Sequence, residues 1–336
     1  MTADAEGRLR DSRRHHVTLR IDPEIASAIL ALSGPEPAPR PPVGDIATRR
    51  TNIEAMFSAV SATWPRSERV DVEEHTLVTD DNTALPLRWY RPAAGSLPGS
   101  AVLYLHGGGM IFGLNVVAEF YDKLVRAYVA ASGVPALIVD YRVAPENPDP
   151  TPVQDCYAAL NWLAGHAEEL GVDPGRIGVV GDSAGGGLAA GVALMARDLG
   201  GPAIALQLLI YPMLDDRTTD PDPQLPQETL VWDYNDNVTG WSALLGDSAG
   251  GAEVSPYAAA ARASDVAGLP PTYLDTGDLD IFRDEITVYA RRLAQAGVPT
   301  ELHIYPGCPH GFEVVAPQST QAQQAMAARI RRLQQL

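Results

Sequence analysis

Ser183 lies in Gly181-Asp182-Ser183-Ala184-Gly185-Gly186, a glycine-dense turn that fits the pattern G-x-S-x-G. A serine hydroxyl is a weak nucleophile until a neighbouring base takes its proton and a third group fixes the tautomer of that base. The same hexapeptide recurs at Gly246 to Gly251, so Ser248 competes for the role and pattern alone ranks the two equally. The backbone around each copy must separate them. The pattern exposes its serine on a sharp strand-to-helix bend, where side chains on the flanking positions would collide with the neighbouring strand and helix. Apolar Ile177 to Val180 precede Ser183, and Leu188, Val192, Met195 and Leu199 follow it at steps of four, three and four, which is helical spacing. Before Ser248, Val238 to Leu245 reads as helix, and the residues after it read as loop. Ser248 is therefore expected to be a loop residue.

The partners of Ser183 should sit just beyond the carboxyl ends of strands, where open α/β sheets bind ligands. Two loops qualify. Gly277-Asp278-Leu279-Asp280 follows the strand T-Y-L-D-T, and Gly307 to Phe312, containing His310, follows E-L-H-I-Y. Asp278 and Asp280 follow the same strand, and spacing does not separate them. Asp284 and Glu285 fall on the next helix, one turn too late. A third loop, His106-Gly107-Gly108-Gly109, follows the apolar run A-V-L-Y-L. Glycines there can turn backbone amides toward one point, and these, with the amide of Ala184, would hold a developing oxyanion. Serine, carboxylate, imidazole and amide cradle together point to acyl transfer, with no metal or organic cofactor required.

The elements that must position these groups are legible. Asp22-Pro23 opens a short helix, Gly34 to Pro42 reads as extended linker, and a second helix runs from about Asp45 to Trp64 with Ile53, Met56, Phe57 and Val60 on one face. Val70 to Val78 and L-P-L-R-W-Y-R-P read as an antiparallel pair turning at Asp80 to Asn82. From Ala101 onward strands and helices alternate. Strands are expected at Ala101–Leu105, Ala136–Val139, Ile177–Val180, Ile204–Ile210, Thr272–Thr276 and Glu301–Tyr305. Helices are expected at Val116–Ala131, Thr151–Leu170, after Ser183, near Glu228–Leu245, at Arg283–Ala296 and from about Gln318, the last with Ala322, Met326, Ile330 and Leu333 as its buried stripe. Such alternation predicts an α/β fold with a mostly parallel sheet covered on both faces. The opening helices and the 211–250 segment do not fit it and are candidates for a cap.

Composition narrows the partners. Lys+Arg 25 against Asp+Glu 42 gives a net charge of −17, which repels nucleic acid and anionic membranes. The 46% hydrophobic content suits a folded globular chain. Cys156 and Cys308 lie far apart without metal-ligand spacing, which predicts free thiols in a reducing cytoplasm. The start is charged, without an apolar signal core, and no run reaches the length of a membrane span.

From Ala101 to Phe312 the chain resembles the bacterial hormone-sensitive-lipase-like carboxylesterases of the α/β-hydrolase fold. The resemblance rests on H-G-G-G at His106, D-Y-R-V-A-P-E at Asp140, G-D-S-A-G-G at Gly181, D-L-D-I-F-R-D-E at Asp278 and P-H-G-F at Pro309. It implies Ser183 as nucleophile, His310 as base and Asp280, rather than Asp278, as its partner, with the amides of Gly108, Gly109 and Ala184 as oxyanion hole. It also implies a cap segment over 1–64, a catalytic domain over 65–336 with a cap insertion at about 211–250, a small ester as substrate, and a possible homodimer. Short to medium acyl chains are expected, because a true lipase would usually expose a large apolar lid and be secreted, and the sequence shows a signal for neither. A lactone or amide hydrolase with the same triad, or a non-catalytic small-molecule receptor of this fold, are the alternatives. Met110-Ile111 departs from the aromatic common after the glycines. Among the remaining groups, His106 reads as an anchor of the glycine loop and Asp182 as support for the elbow. Arg142 with Glu146 reads as a scaffold ion pair, His303 as a half-buried strand residue, and His15, His16, His75 and His166 as surface. Trp232, Tyr234 and Trp241 are read as packing a cap helix, with the acyl pocket as their other possible place.

Overall fold

The computed structural model describes residues 19–33, 39–94 and 99–336. The polar N-terminus with His15 and His16, and residues 34–38 of the expected linker, lie outside the described residues. Helices α1 (Pro23–Ser33) and α2 (Ile46–Thr63) come first, opened by Asp22, which accepts the Glu24 amide, and Asp45, which accepts that of Thr48. Strands β1 (Val70–Val78) and β2 (Ala84–Pro92) then pair antiparallel, and Asn82 in their turn takes a φ of 61°.

The alternating part follows as β3 (Ala101–Leu105), α3 (Leu114–Ser132), β4 (Ala136–Val139), α4 (Thr151–Gly165), β5 (Ile177–Asp182) and α5 (Ala184–Leu199). It continues with β6 (Leu206–Ile210), α6 (Tyr234–Leu245), β7 (Thr272–Gly277), α7 (Arg283–Gln295), β8 (Thr300–Tyr305), α8 (Phe312–Val315) and α9 (Thr320–Gln334). The strands form one sheet in the order β1-β2-β4-β3-β5-β6-β7-β8, parallel from β4 to β8. Every residue of β3 to β7 is buried, because helices cover both faces; α3 packs with α9, and α4 with α5. Across the sheet Leu105 pairs with Gly181, Asp182 with Ile210, and Ile210 with Asp275. The carboxyl ends of these strands therefore finish side by side, with β5 in the middle.

Some expectations are corrected. Helix α4 stops at Gly165, and α6 begins only at Tyr234, after a 3₁₀ turn at Gln227–Thr229, where Asp233 and Asp236 cap it reciprocally. Leu199 does not continue the buried stripe of α5. It is 59% exposed, because Gly200 ends the helix in the left-handed conformation, while Ala184 to Ala196 are buried all round. The buried face of α9 is formed by Ala322, Ala325, Ala328, Arg329 and Leu333, with Met326 and Ile330 half-buried. His75 and His166 are also half-buried, against Trp162 at ring distances of 5.1 and 4.1 Å.

Arg142 does not pair with Glu146. The two lie in irregular backbone and share no helix face. Arg142 instead reaches Asp155 at 2.7 Å and Asp81 at 2.6 Å. Glu146 accepts two 2.7 Å bonds from Arg50 of α2. The neighbouring Arg49, only 3% exposed, donates to Asp236 of α6 at 2.8 Å, and the Gly44 amide donates to Thr239 at 3.0 Å. These bonds tie α2 to the 211–250 segment.

Candidate active site

The bend after β5 holds Ser183 at φ 55°, ψ −122°, a backbone conformation that side chains rarely adopt. Its amide donates to Ile210 and its carbonyl accepts from Met213, so the end of β6 clamps it from one side. The flanking glycines are required by contact. A Cβ on Gly181 would lie 2.1 Å from the Gly185 carbonyl oxygen, and one on Gly185 would lie 2.1 Å from that of Leu105. Helix α5 can thus approach β3 and β5 only without those side chains.

His310 Nε2 lies 2.9 Å from Ser183 Oγ, and its Nδ1 lies 2.7 Å from Asp280 Oδ2. Asp280 is buried, and its other oxygen accepts the Phe282 amide at 2.9 Å. With the proton on Nδ1 donated to Asp280, Nε2 is free to accept from the serine hydroxyl. Asp278 faces elsewhere: it accepts the Gly307 amide at 2.7 Å and so holds the loop that carries His310. Rings close on the imidazole edge-on, Tyr211 at 4.7 Å and Phe282 at 5.2 Å.

The glycine loop passes beside Ser183. Gly108 and Gly109 have φ of 141° and 55°, and neither their amides nor that of Ala184 has a partner among the described residues. The loop is anchored one residue earlier. The Gly107 amide donates to Tyr121 Oη at 2.7 Å, and Tyr121 in turn donates to Asp182 at 2.6 Å. Asp182 also accepts from Tyr104 at 2.9 Å, and burial raises its pKa to about 6. His106 is fully buried and stacked on Tyr141 at 4.2 Å, and burial lowers its pKa to about 4. It is held as a neutral ring within the loop.

Above these groups opens a cleft of about 640 Å³, part of it open to solvent. Ile53, Met56 and Phe57 of α2, Phe112, Val231, Trp232, Val314 and Val315 supply its apolar walls. Of the three cap aromatics only Trp232 lines it; Trp241 is buried in the core, and Tyr234 receives the Asp222 amide. Met110 and Ile111 are buried too, and the aromatic after the glycines is Phe112. Sequence reasoning missed Tyr121 and Tyr211 as site components, whereas three of the four residues of the expected apolar face of α2, Ile53, Met56 and Phe57, do line the cleft. Tyr211 carried a signal, since it directly follows a buried strand beside the elbow.

Ser248 is exposed in a 3₁₀ turn at Gly246–Ser248, with no strand before it and no helix after it. His303 is half-buried and faces Glu301 at 2.7 Å. Cys156 and Cys308 are buried free thiols, and burial pushes both up in pKa.

Residues 102–314 match the family described as having the alpha/beta hydrolase fold. Carboxylesterase NlhH of Mycobacterium tuberculosis is 38% identical over 263 residues, 75% of this chain and 79% of that protein. An ethyl acetate hydrolase of Pseudomonas putida is 33% identical over 79% of this chain and 82% of its own. Among solved structures, a bacterial heroin esterase superposes with a TM-score of 0.84 at 38% identity, covering 94% of this chain and 97% of the other.

Proposed function

Since the chain belongs to the α/β-hydrolase fold family, in its hormone-sensitive-lipase-like branch, we propose that it is a carboxylesterase working through Ser183, His310 and Asp280. The observation that carries this reading is the unbroken relay from Asp280 through His310 to the Ser183 hydroxyl. Ser183 Oγ attacks the ester carbonyl carbon while His310 Nε2 takes its proton, and the resulting oxyanion is held by the amides of Gly108, Gly109 and Ala184. Collapse of the tetrahedral intermediate expels the alcohol, which leaves with the proton from His310. Water then attacks the acyl-enzyme, giving up a proton to His310, and the carboxylic acid is released as serine recovers its hydrogen. Asp280 keeps the imidazole in the accepting tautomer throughout. No metal or organic cofactor enters the scheme.

Helix α2 and the 211–250 segment serve as the cap, since their residues wall the cleft above Ser183. The proposed substrates are esters of short to medium acyl chain, the apolar walls beside Ser183 being suited to an acyl group, and two assays test the reading. Ser183→Ala should abolish hydrolysis of soluble butyryl esters while Ser248→Ala leaves it intact; the reverse result would overturn the assignment. Faster hydrolysis of dispersed long-chain triglyceride than of soluble acetyl or butyryl esters would overturn the chain-length claim.

A further inference from the structure

Behind His310 lies an ionic network that the reaction as written does not use. Arg329 of α9 is fully buried and bonds both oxygens of Asp275, at 2.7 and 3.0 Å, as well as Glu313 Oε1. Asp275 and Glu313 are themselves buried. Burying three charged side chains costs desolvation that an apolar cluster of similar volume would avoid, so stability alone is a weak reason for them.

The network ends on the imidazole. Glu313 Oε1 also accepts the Tyr211 hydroxyl at 2.7 Å, and the Tyr211 ring meets His310 edge-on while the Arg329 guanidinium lies 5.5 Å from the centre of the same ring. Tyr211 has a φ of 31°, rare for a residue with a side chain, and its amide is fixed to the Asp275 carbonyl at 2.8 Å. Two residues later Met213 holds the Ser183 carbonyl. Glu313 stands three residues after His310. The tether therefore closes a loop: nucleophile, Tyr211, Glu313 and base are joined through one hydroxyl.

A single hydrogen bond from Nδ1 to Asp280 fixes one atom of the imidazole and leaves its plane free to tilt. The flanking rings set that tilt, and a small error in the direction of Nε2 is costly in a proton transfer. We propose that Tyr211 and Glu313, held by Arg329, are positioning residues that fix the plane of His310 toward Ser183. The inference rests on the reading of His310 as general base.

The test uses Tyr211→Phe, Glu313→Leu and the double variant on a soluble butyryl ester, with active sites counted by a serine-reactive phosphonate. Tyr211→Phe keeps the ring and removes only the tether, and Glu313→Leu removes the acceptor of the same hydroxyl. The kcat per active site of Tyr211→Phe should fall roughly tenfold with KM within about twofold, and that of Glu313→Leu should fall at least as far. The double variant should lose no more than the worse single variant, because both break one connection. Unchanged kcat per active site in Tyr211→Phe would overturn the proposal even if Glu313→Leu failed to fold, and so would fully additive losses. Ser183→Ala and His310→Ala are run alongside. Activity retained in either would sink the triad reading, whereas their inactivity beside fully active Tyr211→Phe and Glu313→Leu would sink this inference alone.

Discussion

His106 and Asp182 lie on either side of the glycine loop and respond to pH in opposite directions. Burial lowers the pKa of His106 from 6.5 to about 4, so below about 6.5 the unfolded chain binds a proton here that the folded chain refuses. Its contribution to stability is full above that pH and is lost as pH falls toward 4, at about 1.4 kcal/mol per pH unit. Burial raises Asp182 from 3.8 to about 6, so the folded chain holds a proton that the unfolded chain gives up. That contribution is full below 3.8 and is lost as pH rises through about 6. Between about 4 and 6 the two largely cancel. His106→Asn should therefore lose stability at pH 7, where the Tyr141 stack is gone, and recover part of the deficit as pH falls. Urea unfolding at pH 7, 5.5 and 4.5 measures this. A deficit that stayed constant across the series would mean that His106 is not held neutral.

At the scale of elements, the two copies of the hexapeptide offer an internal comparison. Gly185 and Gly250 hold equivalent places, yet a Cβ on Gly185 would meet the Leu105 carbonyl oxygen at 2.1 Å and that of His106 at 2.5 Å, while one on Gly250 meets nothing within 4 Å. Gly185→Ala must push α5 away from β3 and should give no active folded enzyme. Gly250→Ala, strained only by its φ of 77°, should cost about 1–2 kcal/mol and leave kcat intact. Soluble yield, thermal melting and ester turnover of the pair would show it, and equal behaviour would contradict the contact argument. The same contrast explains what could be read beforehand. The runs at Ala101–Leu105 and Ala136–Val139 gave their strand limits because strands buried on both faces leave no polar residue inside the run. The 3₁₀ turn at Gln227–Thr229, the late start of α6 and the short α8 are not legible in the sequence, because their limits depend on caps and distant contacts. The pairing of Arg142 with Glu146 fails for a similar reason: their partners lie 13 and 96 residues away. Spacing brought Ser183, His310 and the glycine loop into view, but choosing Asp280 over Asp278 needed the family resemblance.

For the whole molecule, charge and cavity act together on substrate choice. The chain carries a net charge of −17, while the described walls of the cleft are apolar, with Asp182 the one carboxylate among the described lining residues. An anionic acyl group would be repelled in approach and then lose its hydration against Ile53, Met56, Phe57 and Trp232, with no Lys or Arg among the described lining residues to pair with it. A 4-nitrophenyl monoester of succinic acid has a four-carbon acyl chain like the butyrate ester, differing at the terminal carbon by an ionised carboxylate. At pH 7.5 its kcat/KM should be lower by at least about a hundredfold, the size of a partly desolvated, unpaired charge. Part of the loss should ease with added salt, because the long-range repulsion is screened and the desolvation is not. Equal rates on the two esters would mean that the acyl group does not enter the apolar cleft, and the walls supplied by α2 would then have to be assigned to the alcohol side.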